Sequence, residues 1–173
     1  VENLDTLGAR AVGTGWLGRA REELDGLEPC EEHAWLEIWE AHCAFLIHRD
    51  LDAAREHLAA GLALAREHEF REAGVFGSGL EGLMLVAEGR IRDGLRRLDR
   101  ATTAAGSGEL RSVETIGQAY CYVLRGCEQV HDFERAAEWL DRAVEVSRRL
   151  RVAYFESYCR RHYVILHLWR GAW

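Results

Sequence analysis

Four times in this chain a small residue is followed four positions on by a leucine, and three positions after that by another small residue. The triplets are Gly13/Leu17/Ala20, Ala54/Leu58/Gly61, Gly94/Leu98/Ala101 and Ala136/Leu140/Ala143, with starts 41, 40 and 42 residues apart. Positions i, i+4 and i+7 share one face of an α-helix. On that face the small residues admit a neighbouring helix closely, and the leucine fills the space beside them. A fixed interval of this length restricts the chain to architectures built by repeating one supersecondary unit.

The last three triplets are each preceded by a short polar turn: His48-Arg49-Asp50, Glu88-Gly89-Arg90 and Val130-His131-Asp132. Upstream of each turn the apolar period of a further helix is present. The first runs over Glu31–Ile47, with Leu36, Trp39, Cys43, Leu46 and Ile47 on its apolar face, and equivalents follow at Ala73–Ala87, Ser112–Gln129 and Val152–Trp169. Strand patterning is absent. The unit is therefore an antiparallel helix pair that cannot bury both its faces alone, and stacking successive pairs produces one elongated core.

The expected fold is all-α: a right-handed solenoid of antiparallel helix pairs with a period of about 41 residues. It is expected to form a single domain over residues 1–173, with full pairs at 31–68, 70–105 and 110–150 and partial ones at 1–27 and 152–173. Trp169-Arg170-Gly171 reads as the turn of a fifth pair, whose triplet falls past Trp173. Val1–Val12 is too short and glycine-interrupted for a full helix, so a piece of a longer protein is expected.

Charge narrows the function. The 29 acidic side chains outnumber 22 basic ones, for a net charge of −7, which repels a nucleic-acid backbone. Every basic residue is arginine; the absence of lysine removes a Walker-type phosphate loop, a Schiff-base lysine and a pyridoxal-phosphate anchor. No cofactor is expected. The five cysteines, Cys30, Cys43, Cys121, Cys127 and Cys159, are odd in number and lack C-x-x-C spacing, which suits reduced, buried thiols. The longest uncharged stretches are too short to cross a bilayer, and the start lacks a basic region followed by an apolar one. Contact with a membrane is not expected, and the expected location is cytoplasmic.

The spacing and the small/large/small triplet resemble tetratricopeptide repeats in a degenerate form. Gly82, Gly89, Ala54 and Ala143 match that pattern, Gly94 and Gly61 stand where alanine is usual, and Leu124 and His42 stand where glycine or alanine is usual. Further stretches resemble the helical-repeat regions of large actinobacterial LuxR-type transcriptional regulators related to the maltotriose-responsive activator. They are Gly15-Trp16-Leu17-Gly18-Arg19-Ala20, Leu80-Glu81-Gly82-Leu83, Asp132-Phe133-Glu134-Arg135-Ala136-Ala137, and Cys159-Arg160-Arg161-His162-Tyr163 with Leu168-Trp169-Arg170-Gly171. The resemblance implies a non-catalytic module between a sensory region and a helix-turn-helix, one that senses a ligand or docks a partner. A free-standing adaptor for protein–protein interaction is the alternative, and a metal-binding or enzymatic repeat protein is a third.

In such a stack the first helices line a concave groove. Projecting the register gives Trp39, Cys43, Phe76, Leu83, Gln118, Cys121, Arg125, Glu128, Tyr158, Arg161 and Trp169 as groove candidates. An apolar wall with a few polar groups suits a small amphipathic ligand or an inserted peptide or helix. The competing assignment for the aliphatic members is plain core packing.

No metal site is expected. Cys121, Cys159 and His162 are the one subset with suitable side chains, while Cys121 and Cys127 point about 240° apart around a helix. His33, Glu37 and Glu40 share helical spacing but read as a solvated flank, and Glu31, Glu32 and Glu109 read as carboxylates favouring helix N-termini. The arginine runs at Arg96-Arg97, Arg148-Arg149-Arg151 and Arg160-Arg161 are interleaved with Asp99, Asp141 and Glu145, the pattern of a salt-bridged face. An incomplete stack exposes apolar end faces, so self-association through the terminal repeat, Val152–Trp173, is expected.

Overall fold

The structure, a computed structural model, describes residues 9–151, 153–169 and 171, with backbone only at residues 10, 153–156, 158 and 159. Among the described residues there are eight helices and no strand. They are α1 (Arg10–Leu24), α2 (Glu31–Cys43, continued by a π-helical turn Ala44–His48), α3 (Leu51–Glu67) and α4 (Arg71–Ala87), followed by α5 (Ile91–Gly106), α6 (Val113–Val130), α7 (Phe133–Leu150) and α8 (Ala153–Trp169). Helix boundaries fall within about two residues of the sequence expectation. Residues 1–8, 152, 170 and 172–173 lie outside the described residues. The chain forms two compact units divided between Gly77 and Ser78, inside α4.

In the first unit α2 packs along α3, and α1 packs on α2. The triplet Ala54/Leu58/Gly61 is buried and faces Ala34 and Ile38. Gly61 sets the approach: a Cβ there would lie 2.6 Å from Ile38 Cγ1 and 3.1 Å from the Ala34 carbonyl. In α1 only Gly13 of the triplet is buried, with Leu17 and Ala20 half-buried, because within this unit α1 has one helix to pack on. Pairs of rings fill the far side of α2. Phe76 meets Trp35 at 5.4 Å and Trp39 at 4.7 Å, and buried His42 stands 4.9 Å from Trp39. A buried imidazole is thus accommodated among aromatic partners.

The second unit, from Ser78, stacks α5 on α6, α6 on α7 and α7 on α8, with α8 also touching α6. Its core centres on Leu98. Three glycines clear space around it: Cβ atoms at Gly82 and Gly126 would come within 2.9 and 2.5 Å of the Leu98 side chain, and one at Gly94 within 2.7 Å of the Gly82 carbonyl. Removing all of Leu98 from water contributes about 1.5–3 kcal/mol. The triplets Gly94/Leu98/Ala101 and Ala136/Leu140/Ala143 are both wholly buried. Thr102, also buried, satisfies its hydroxyl locally by donating to Leu98 O at 2.9 Å or Ala119 O at 3.2 Å.

The turns repeat in the backbone. Each of the eight helices is followed within two residues by one left-handed residue: Gly26, Arg49, Glu69, Gly89, Gly108, His131, Arg151 and Gly171. After the first helix of each pair these are Arg49, Gly89, His131 and Gly171, at steps of 40, 42 and 40 residues. After Glu69, Gly89 and His131 the residue that follows returns its N–H to a carbonyl five back, Phe70→Ala65 (2.9 Å), Arg90→Leu85 (2.9 Å) and Asp132→Cys127 (3.0 Å), the bond of a Schellman ending. At the end of α2 the same bond reaches six back, from Asp50 to Ala44 (2.9 Å), because the π turn holds one extra residue. The next helices are then capped by Asp50, Ser112 and Asp132, each accepting from the backbone N–H three residues on.

Two glycine substitutions separate packing from helix propensity. Gly94→Ala is expected to lower stability by about 1–3 kcal/mol through overpacking against Gly82 and Val86. Gly18→Ala, where a Cβ meets nothing within 4 Å, is expected to raise it by up to about 1 kcal/mol. Urea unfolding midpoints check both, and a stabilised Gly94→Ala variant would contradict the close approach.

Candidate functional site

A groove of about 740 Å³ lies between α7 and α8, lined by Leu140, Asp141, Val144, Ser147 and Arg148 from α7 and by Arg160, Tyr163 and Val164 from α8. The α7 set falls on one stripe at helical spacing, as does the α8 set. Tyr163 and Val164 are 54% and 57% exposed, a high value for an adjacent apolar pair. Asp141, Arg148 and Arg160 are exposed as well, so the groove combines an apolar floor with charge of both signs.

The neighbouring groove in the same unit shows what such a surface accepts. Asp99 follows Leu98 on α5 as Asp141 follows Leu140 on α7. Asp99 is bound by two donors of α7: Trp139 Nε1 donates to Oδ1 at 2.9 Å, and the Arg135 guanidinium donates to Oδ2. Arg135 also donates to Asp132 at 3.0 Å. The Asp132 hydrogen bond, followed by the charge of Asp99, raises the guanidinium pKa and keeps it charged, against a smaller opposing effect of burial. Trp139 further meets Tyr120 edge-on at 6.1 Å. A helix thus seats on a paired-helix surface through a Trp-Leu step and an arginine directed at one carboxylate.

The sequence candidates are distributed differently. In the first unit Trp39, Cys43 and Phe76 are buried. In the second, Leu83 and Cys121 are buried, Gln118, Arg125 and Glu128 are half-buried, and Arg161 and Trp169 are exposed. Trp169 stacks on Phe133 and meets His131 edge-on, both at 5.4 Å. The side chains of Tyr158 and Cys159 lie outside the described residues. Glu128 and the metal candidate His162 meet: His162, buried on α8, pairs through Nδ1 with Glu128 on α6. Among the described residues no group of three or more His, Cys, Asp or Glu side chains is placed to hold a metal.

The helical flank of α2 also separates into distinct contacts. His33 accepts at Nδ1 from the Cys30 N–H at 3.2 Å, so its Nε2 carries the proton and donates to Leu24 O at 3.2 Å. Glu37 pairs with His57 at 2.8 Å and Glu40 with Arg21. Glu31 accepts from Trp35 at 3.2 Å. The Glu32 carboxyl sits below its ordinary range because the Cys30 thiol hydrogen-bonds to it. Of the arginine runs, Arg97 pairs with Glu81 at 2.6 Å and Arg96 with Asp93 at 2.9 Å. Cys127 is pushed up to about 12, by burial first and the nearby Asp132 carboxylate second, which leaves it a poor nucleophile.

The α7–α8 groove was missed in the sequence because the register was projected only onto first helices, and none of its lining residues fell in that set. Its signal was nonetheless present, in the Leu-Asp step shared by residues 98–99 and 140–141. No protein-family model matches the chain, no curated protein matches it, and no solved structure matches its fold.

The Asp99 contact makes a measurable claim. Trp139→Phe, which deletes the N–H donor and keeps an aromatic ring, is expected to cost about 0.5–1.5 kcal/mol. In an Asp99→Ala background the same change is expected to cost much less. A double-mutant cycle by denaturant unfolding checks it, and equal costs in both backgrounds would remove Trp139–Asp99 as an anchor.

Proposed function

We propose that this chain is a docking module with no catalysis of its own, a segment of tetratricopeptide-like right-handed solenoid that receives a partner's amphipathic helix in the α7–α8 groove. The observation that carries it is the register identity of Asp141 with Asp99: one carboxylate is engaged by a seated helix, and its counterpart opens onto an unfilled amphipathic groove. A helix laid in a groove is a recurrent mode of recognition, with apolar anchors supplying affinity and placed charges setting register. The left-handed residue recurring after every described helix supports the repeat.

On the resemblance to LuxR-type regulators, we further propose that such a module stands between sensing and DNA-binding parts and that docking transmits a signal. The acidic balance of the chain agrees with a segment that does not itself grip DNA. The cysteines Cys30, Cys43, Cys121 and Cys127 are unbridged, in keeping with a cytoplasmic setting. No described helix is long and apolar enough to cross a membrane.

The sequence of α7 supplies its own probe, since it already seats on an equivalent surface. A fluorescently labelled peptide spanning Phe133–Leu150 is expected to bind the chain saturably, with anisotropy as the readout. Asp141→Ala is expected to weaken it about tenfold, or about 1.4 kcal/mol. Binding that does not saturate, or that is indifferent to Asp141 and to a Tyr163→Ala change, would remove the groove as a docking site.

A further inference from the structure

Helix α1 carries the same Trp-Leu step as α7, in the same place within its triplet. Aligning Gly13/Leu17/Ala20 with Ala136/Leu140/Ala143 sets Trp16 on Trp139. Trp139 is engaged by Asp99, whereas Trp16 is 58% exposed, with Arg19 over its ring at 5.8 Å. Val12, one turn earlier on the same face, is 51% exposed. These are large apolar side chains presented to solvent on a helix whose triplet is only half covered.

We infer that the occupant of the α7–α8 groove is α1 of a second copy of this chain, an assignment that rests on the docking function proposed above. Seated as α7 seats on α5 and α6, α1 brings the Trp16 indole N–H to Asp141 of the other copy, with Val12 beside it, and lays Leu17 toward Tyr163 and Val164. The alignment keeps α1 parallel to α7. Its last turn, where Glu22 and Glu23 are exposed, then lies beside the last turn of α7, where Arg148 and Arg149 are exposed. Opposite charges meet at that end and set the direction of docking. Val12 stands where α7 has Arg135, so Trp16 is the single donor to Asp141 and the contact is weaker than its internal counterpart.

The two surfaces differ, so the contact is head-to-tail: each copy offers α1 to one neighbour and its groove to another, which yields open chains or a closed ring. Complementation tests this geometry. Trp16→Ala disables the inserted helix and Asp141→Arg disables the groove, and both positions are exposed enough to leave the fold intact, which circular dichroism and unfolding midpoints verify.

In sedimentation velocity the unaltered chain is expected to associate with rising concentration, while each variant alone is expected to be monomeric. Mixing the two variants is expected to restore association that stops at a 1:1 heterodimer, since one intact helix meets one intact groove. Association of either variant alone, or failure of the mixture to pair, would overturn the second-copy occupant. If the Phe133–Leu150 peptide still binds while the unaltered chain stays monomeric, the groove survives as a docking site and its occupant is a helix of another protein. If peptide binding fails as well, both assignments fall together.

Discussion

The close approach of α4 and α5 at Gly82 and Gly94 is the contact on which the second unit depends. Backbone meets backbone there at distances no β-carbon would allow, and Leu98 takes the remaining volume, also pressing on Gly126 of α6. One leucine is therefore held by glycines of two neighbouring helices, Gly82 of α4 and Gly126 of α6. Its position fixes the rotation of α5, and the rotation of α5 aims Asp99 at α7. The polar anchor of one helix pair is thus a consequence of apolar packing in the pair before it.

This explains which parts of the molecule could be read in advance. The small/large/small triplet encodes a contact made within about one repeat, between side chains whose sizes alone state the requirement, and three of its four occurrences are buried as expected. The helix limits were legible for the same reason: Asp50, Ser112 and Asp132 are capping residues standing directly before an apolar period. The left-handed turns were legible only where they fall on glycine, at Gly26, Gly89, Gly108 and Gly171, because Arg49, Glu69, His131 and Arg151 carry no mark of that conformation in their chemistry.

The groove was harder to read because helix rotation is set by long-range packing. A face displaced by one residue turns about 100°, enough to move Trp39 and Phe76 from a presumed lining into the core, where His42 joins them as part of an aromatic cluster. Pairings such as Asp99 with Trp139 and Glu128 with His162 join residues 40 and 34 positions apart. Nothing local in either member announces its partner. What the sequence does hold is the recurrence of a step, Leu-Asp at one register and Trp-Leu at another, whose meaning becomes visible only beside an occupied example.

The π-helical turn at Ala44–His48 shows how one helix of this chain accommodates an irregular length. By reaching six residues back instead of five, the Asp50 amide closes α2 with one residue more than the Schellman endings contain, and Arg49 still reaches the left-handed position 40 residues ahead of Gly89. The surplus is stored as a local widening of the helix instead of being passed down the chain as a rotation of every later face. A helix ended this way can hold one residue more while Asp50 still caps the next helix, so change in length need not mean change in register.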